Sequence, residues 1–172
     1  MIPARSAVTH DAAWSAHFVD QALHNPHNRA ILERLPALGL PDAWLVAGCL
    51  FQTVWNLQAG RMPTAGIKDY DLFYFDADDL SEQAEAAVGR RVGTCLRDLG
   101  VTVEAKNQAR VHTWYPQWFG RPYPALTSAR DGIDRFLVPC TCVGLRIASG
   151  TPASLYAPYG LEDLYRGILR PN

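Results

Sequence analysis

The chemistry in this chain concentrates at Asp69-Tyr70-Asp71, which opens an apolar, aromatic stretch reaching Asp76. Residues i and i+2 of a strand point the same way, so a strand over 69–76 sets the two carboxylates side by side and carries Phe73 and Phe75 along the same row. Two adjacent carboxylates repel unless a proton or cation sits between them. Oxygen donors select a hard divalent ion such as Mg²⁺, with Mn²⁺ the second candidate. A third carboxylate on a neighbouring strand would complete a two-ion site, and Glu104 is the candidate, its alternative being a simple ion pair with Lys106 or Lys68. Two ions about 4 Å apart can activate an attacking hydroxyl and stabilise a leaving pyrophosphate in an in-line displacement. Metal and cationic groups carry most of that work, because the transition state spreads negative charge over phosphoryl oxygens. A bare pair of acids proves little, as the solvent-type pair Asp78-Asp79 shows. Asp69 and Asp71 differ in opening an apolar strand that follows a strand–glycine–helix unit.

That unit must position the phosphates. Residues 44–47 (WLVA) read as a short strand apolar on both faces, and so buried between layers. Gly48 ends the strand, and residues 50–59 follow as a helix with Leu50, Val54 and Leu57 inward and Gly60 as its stop. Gly48-Cys49 at the helix mouth leaves room for backbone N–H groups to approach a phosphate. Gln52 and Asn56 share a helix face with Cys49, and either line the nucleotide pocket or hydrogen-bond loop backbone. Residues 61–68 form a loop marked by Pro63 and Gly66. Arg61, Lys68 and Arg110 are cations near the site in sequence, each with a phosphate role or a solvated one.

Ser81, with Glu82 and Glu85 in the first turn, opens a helix to about Leu99. Gly100 stops it, and residues 101–105 form the third strand. Asn107 either contacts ribose or phosphate or caps the next segment. Residues 107–119 are partly helical, with Trp114, Tyr115, Trp118 and Phe119 at helical spacing and therefore expected in the core. His112 is expected as a packed histidine, while Arg121 and Tyr123, in the loop 120–124, lean toward function because loops carry sites. Residues 128–136 form a short helix, 140–148 a strand turned by Ser149-Gly150, 154–157 a segment pairing back, and 161–169 a final helix.

At the start of the chain, Thr9 or Asp11 is expected to cap a first helix bearing Trp14, Phe18 and Leu23. Asn25-Pro26 starts a second helix with Ile31, Leu32 and Leu35 inward. His10, His17 and His24 are spaced seven apart, about 10 Å along a helix, too far for one ion. Cys140-Thr-Cys142 has no second Cys or His pair at zinc spacing, and reduced buried thiols are the expectation for all four cysteines. With 172 residues and 48% hydrophobic side chains, the chain has material for one domain with a proper core. It divides as an N-terminal helical wrapper over 1–40, a catalytic core over 41–120 and a C-terminal extension over 121–172. The absence of an apolar run near 20 residues argues against a membrane span. The polar N-terminus argues against a signal peptide, so the expected location is cytoplasmic.

AGCLFQTVWN, GIKDYDLFYFD, VEAKNQARVHTWY, FGRPYPAL and YAPYGLEDLYRGILRPN together resemble a bacterial nucleotidyltransferase family of unassigned substrate. That family lies within the polymerase-β-like nucleotidyltransferase superfamily, and the similarity covers about residues 43–172. The resemblance implies an α+β (α/β-like) fold with a small mixed β-sheet flanked by helices. It also implies Mg²⁺ dependence and transfer of a nucleoside monophosphate from an NTP to an acceptor. On the matching positions Asp69 and Asp71 are the paired metal ligands, Glu104 the third acid, and Gly48-Cys49 the superfamily's Gly-Gly or Gly-Ser turn. Cys49 departs from that turn, and the interval from Gly48 to Asp69 is longer than usual. The net charge of −1 offers no basic track, so a small-molecule or protein acceptor is favoured over nucleic acid. Two other readings of the residues are a non-catalytic nucleotide- or partner-binding module on the same fold, and a metal-dependent phosphohydrolase with water as nucleophile.

Overall fold

Two helices lead the chain. α1 (Arg5–Leu23) turns Phe18 and Ala22 fully into the core, with Trp14 and Leu23 packed beside them. It begins upstream of Thr9 and Asp11, so both lie inside the helix and neither caps it. α2 (Pro26–Arg34) starts as expected: the Asn25 side chain accepts from the His27 and Asn28 N–H groups, and Pro26 takes the first helical position. The computed structural model describes residues 5–148 and 150–172, with side chains from residue 12 onward. Ser149, half of the expected turn at 149–150, lies outside the described residues.

The sheet follows. β1 (Trp44–Val46) is buried throughout and feeds α3 (Gly48–Gln58), whose inward residues are Cys49, Leu50, Thr53, Val54 and Asn56. Leu57, expected inward, is only half-buried. β2 (Asp69–Tyr74) ends two residues earlier than its aromatic run suggested. α4 (Glu82–Cys95) is capped by Ser81 as expected, and a 3₁₀ turn carries the chain on to Gly100. β3 (Thr102–Asn107) is offset by one residue at its start and runs two residues further than expected. α5 (Val111–Phe119) buries Val111 but leaves Trp118 79% and Phe119 60% exposed. These two rings were expected in the core; α5 stands at the surface and packs them against no other layer.

α6 (Ala129–Ile133) opens on a reciprocal capping box between Ser128 and Asp131. β4 (Gly144–Arg146) is shorter than expected, because Pro139 starts a 3₁₀ turn that uses up Cys140 and Thr141. β5 (Ser154–Tyr156) pairs back on it, and α7 (Glu162–Arg166) closes the chain, shorter than the expected 161–169. Cys49, Cys140 and Cys142 are buried free thiols, whereas Cys95 is exposed. No helix among the described residues is long and apolar enough to cross a membrane.

The strands form one mixed sheet in the order β3-β2-β1-β4-β5. β2 and β3 are parallel, joined through α4, and every other pair is antiparallel. One face carries Leu45, Tyr70, Leu72, Tyr74 and Leu145 into a core shared with α1, α2, α3, α4 and α7. The opposite face carries Trp44 and Val46, packed under Ala129 and Ile133 of α6 with Phe73, Phe75 and Phe136 around them. The fold is α+β, a small mixed sheet flanked by helices.

A polar clasp binds the leading helices to this core. Asn25 Nδ2 donates to Thr53 Oγ1 at 3.1 Å and to the Tyr70 hydroxyl at 3.2 Å, all fully or nearly fully buried. Asn28 Nδ2 donates to the Ala22 and Cys49 carbonyls, each at 3.0 Å. Truncating Asn25 removes a helix cap and leaves buried hydroxyls short of a partner. Asn25→Ala is therefore expected to lower unfolding free energy by roughly 2–4 kcal/mol in urea denaturation, against about 1 kcal/mol for Tyr70→Phe.

Candidate active site

Strand register places the acids. β2 runs beside β3 with Asp71 opposite Glu104, and beside β1 with Val46 opposite Asp71. Asp69 stands about 6.6 Å back along β2 on the same face, and the β3 backbone lies about 4.8 Å across. Asp69 and Glu104 are exposed and Asp71 is half-buried. Burial, then the charges of Asp69 and Glu104, push the Asp71 carboxyl up to about 6, while Lys106 acts the other way. Lys106 lies two residues beyond Glu104 on the same face, and its ammonium meets Glu104 Oε2 at 3.3 Å.

Asp69, Asp71 and Glu104 were expected to converge on a two-ion site. Among the described residues, no three His, Cys, Asp or Glu side chains are arranged to hold an ion. The register aligns the three backbones, but Glu104 is turned to Lys106. What stands on this face is an all-oxygen donor set with Asp71 raised by burial and then by its acidic neighbours, and that donor chemistry fits a hard dication.

The turn from β1 into α3 abuts these acids. Ala47 has φ 53 and ψ −118, a backbone region suited to glycine that costs an alanine roughly 1–3 kcal/mol. The strain thus falls on Ala47, and Gly48 becomes the first helical residue instead of the strand's end. No side chain caps α3: the Leu50 and Phe51 N–H groups donate to the Ala47 carbonyl, at 2.9 and 3.2 Å, which leaves those of Gly48 and Cys49 without an acceptor in the helix. A Cβ on Gly48 would meet nothing within 4 Å, so the space beyond it is open. Cys49 points the other way, 1% exposed, with its thiol donating to the Val46 carbonyl at 3.5 Å. Burial, then the Asp71 charge, holds that thiol well above the usual range. The thiol is a core side chain, and what Cys49 has left for an anion is its backbone N–H.

A nucleotidyltransferase family model matches residues 33–172. The chain belongs to this nucleotidyltransferase family. It is also similar to a solved NMR structure described as revealing a CCA-adding enzyme head domain. The identity is 31%, the match covers 87% of this chain and 74% of that one, and the TM-score is 0.72. This agrees with a polymerase-β-like nucleotidyltransferase fold. No curated protein matches.

The other expected residues of this nucleotidyltransferase divide by where the sheet puts them. Gln52 Nε2 donates to Asn56 Oδ1 at 3.0 Å, and Asn56 Nδ2 holds the Pro63 and Ala65 carbonyls at 3.3 and 2.7 Å. Of the two readings of this pair, loop bonding is the one Asn56 shows, and it fastens the segment that leads into Asp69. Lys68 is exposed beside Asp69, with no ion pair among the described residues.

Asn107 lies on the opposite face from Glu104. Its side chain accepts from the Asp76 and Ala109 N–H groups and donates to the Asp76 carbonyl, which is the capping alternative. Arg110 is not brought to the acids: it pairs with Glu85 at 2.6 Å and donates to the Leu80 carbonyl at 3.1 Å, nearly buried. The phosphate role considered for Arg110 gives way to a buried clasp at the far end of β2 and β3. His112 Nδ1 is buried without a hydrogen-bond partner among the described residues. The Tyr123 ring lies tilted 4.4 Å from that of Tyr115, with Arg135 5.3 Å over it.

The Glu104–Lys106 pair is the ion-pair alternative expected for Glu104, and the i, i+2 alternation puts both side chains on one face. One residue that matters here was missed. Ala47 carried no signal, because an alanine in a glycine-like conformation is invisible without the backbone.

A carboxyl raised in the folded state destabilises the protein once it ionises, so its penalty is absent near pH 4 and complete above about pH 6. Asp71→Asn is therefore expected to be more stable than wild type by about 1 kcal/mol at pH 7.5 in chelator, after discounting for solvent screening. That advantage should vanish at pH 4, as read by thermal melts of both proteins at the two pH values. Ala47→Gly is expected to raise stability by about 1 kcal/mol in the same assay by relieving the turn.

Proposed function

We propose that this nucleotidyltransferase moves a nucleoside monophosphate from an NTP to a hydroxyl-type acceptor, with Mg²⁺ as cofactor and Mn²⁺ able to replace it. The observation that supports this most is the register that sets Asp71 against Glu104, with Asp69 on the same face and the uncapped end of α3 beside them. Asp69, Asp71 and Glu104 would hold the dication, which when bound supplies charge stabilisation at the transferred phosphoryl group. The Gly48 and Cys49 N–H groups and the Lys68 ammonium would orient the phosphates. Glu104, the most exposed neighbour of Asp71 across the strands, would assist deprotonation of the acceptor hydroxyl. The near-neutral charge favours a small molecule or protein as acceptor, and the polar N-terminus favours a cytoplasmic setting.

A second reading is transfer to an oligonucleotide end. It is favoured by exposed Trp118 and Phe119 beside exposed Arg121, since exposed aromatic rings stack on bases, and by the matched CCA-adding head domain.

Incubation with each labelled NTP, Mg²⁺ and cell extract, with and without added RNA, tests both readings. Wild type is expected to label an acceptor and release pyrophosphate, and Asp71→Asn to lose more than about a hundredfold, as removal of a ligand exceeds the loss of its supporting partner. Orthophosphate release would point to a hydrolase. Equal results for the two proteins would point to a binding module.

A further inference from the structure

We propose that Lys106 is the resident counter-ion of this site: it holds Glu104 until a divalent cation displaces it, and then turns to a phosphate of the bound nucleotide. The inference rests on the metal reading above. On β3 the alternation puts Glu104 and Lys106 on one face, the first opposite Asp71 and the second opposite Phe73. The ammonium sits 3.3 Å from Glu104 Oε2, and this is its ion pair among the described residues.

The pair is built to exchange. Its side chains are 52% and 46% exposed, and pairs so exposed contribute little to stability. A dication beside three carboxylates competes strongly for Glu104, because its double charge meets Asp71 and Asp69 at the same time. Lysine carries a compact charge on a flexible four-carbon stem, so the released ammonium can swing without moving the strand. A triphosphate then brings more negative charge to this face than two dications and Lys106's former partner leave balanced, and a freed ammonium is the nearest remaining cation on β3. The same contact explains why the three acids share a face and yet do not close on one point: Glu104 is held by the cation that must leave first.

This arrangement makes Lys106 a positioning residue with two opposite effects, which a merely structural side chain would not have. Titration of the full, nucleotide-free chain with Mn²⁺ by calorimetry should show Lys106→Met binding the ion about three- to tenfold more tightly than wild type, since a competing positive charge is gone. In Mg²⁺, binding of a non-hydrolysable ATP analogue should weaken about tenfold in Lys106→Met, as a charge-assisted phosphate contact is lost. Lys106→Arg should restore the wild-type direction of both. Thermal melts confirm folding of these surface variants, and Asp71→Asn identifies the ion site. Equal Mn²⁺ affinity in wild type and Lys106→Met at a site that Asp71→Asn removes would overturn the inference and leave the metal reading standing. So would changes of the two affinities in the same direction. Absence of any Mn²⁺ binding that depends on Asp71 would overturn both.

Discussion

Like charges held on one face of a sheet are the constraint around which this protein is arranged. β2 and β3 run parallel with Asp71 facing Glu104, and no side-chain rotation can move those two backbones apart. The repulsion shows in Asp71, whose carboxyl is raised to about 6 by burial and by its acidic neighbours. A fold that keeps such a conflict must hold its strands firmly by other means. Here the buried face does so, with Leu45, Tyr70, Leu72 and Tyr74 packed beneath five helices. Destabilisation at the acids and burial behind them are two sides of the same strand, separated by the alternation of side chains.

The rest of the molecule fastens the ends of those strands. Asn56 ties the loop before Asp69, while Asn107 and the Arg110–Glu85 pair tie the segment after Tyr74 to the end of β3. Removing one partner of a nearly buried pair is costly because the other charge stays unpaired. β2 is thus clamped at both ends, and the carboxylates near its start have little backbone freedom. Residues suggested as ligand contacts turn out to be the clamps, which is why a polar residue near a site in sequence is a poor guide to contact. Asn25 and Asn28 perform the same task one layer further out, joining the leading helices to α3 and so to the turn beside the acids.

Ala47 shows how the turn into α3 differs from the acidic strand face beside it. The usual glycine or serine turn is replaced here by a strained alanine, a helical glycine with open space beside it, and a cysteine whose thiol is buried. Backbone N–H groups, which every residue but proline supplies, are unaffected by the altered side chain, and the family match extends over residues 33–172.

Local patterns were legible where one short-range interaction decides the outcome. The Asn25 and Ser81 caps, the side-by-side aspartates and the alternation of strands and helices each depend on residues within a few positions of one another. Strand ends at Tyr74 and Arg146 were not legible, because pairing partners set them, and neither was the exposure of Trp118 and Phe119, which depends on what a helix packs against. By itself the sequence determined the kinds of group available, their spacing along each strand, and membership of a nucleotidyltransferase family. Only the tertiary structure decided that Glu104 stands against Asp71, that Lys106 occupies it, and that Arg110 belongs elsewhere. Those facts depend on the register between strands more than thirty residues apart in sequence, where one residue of slip would send each side chain to the opposite face.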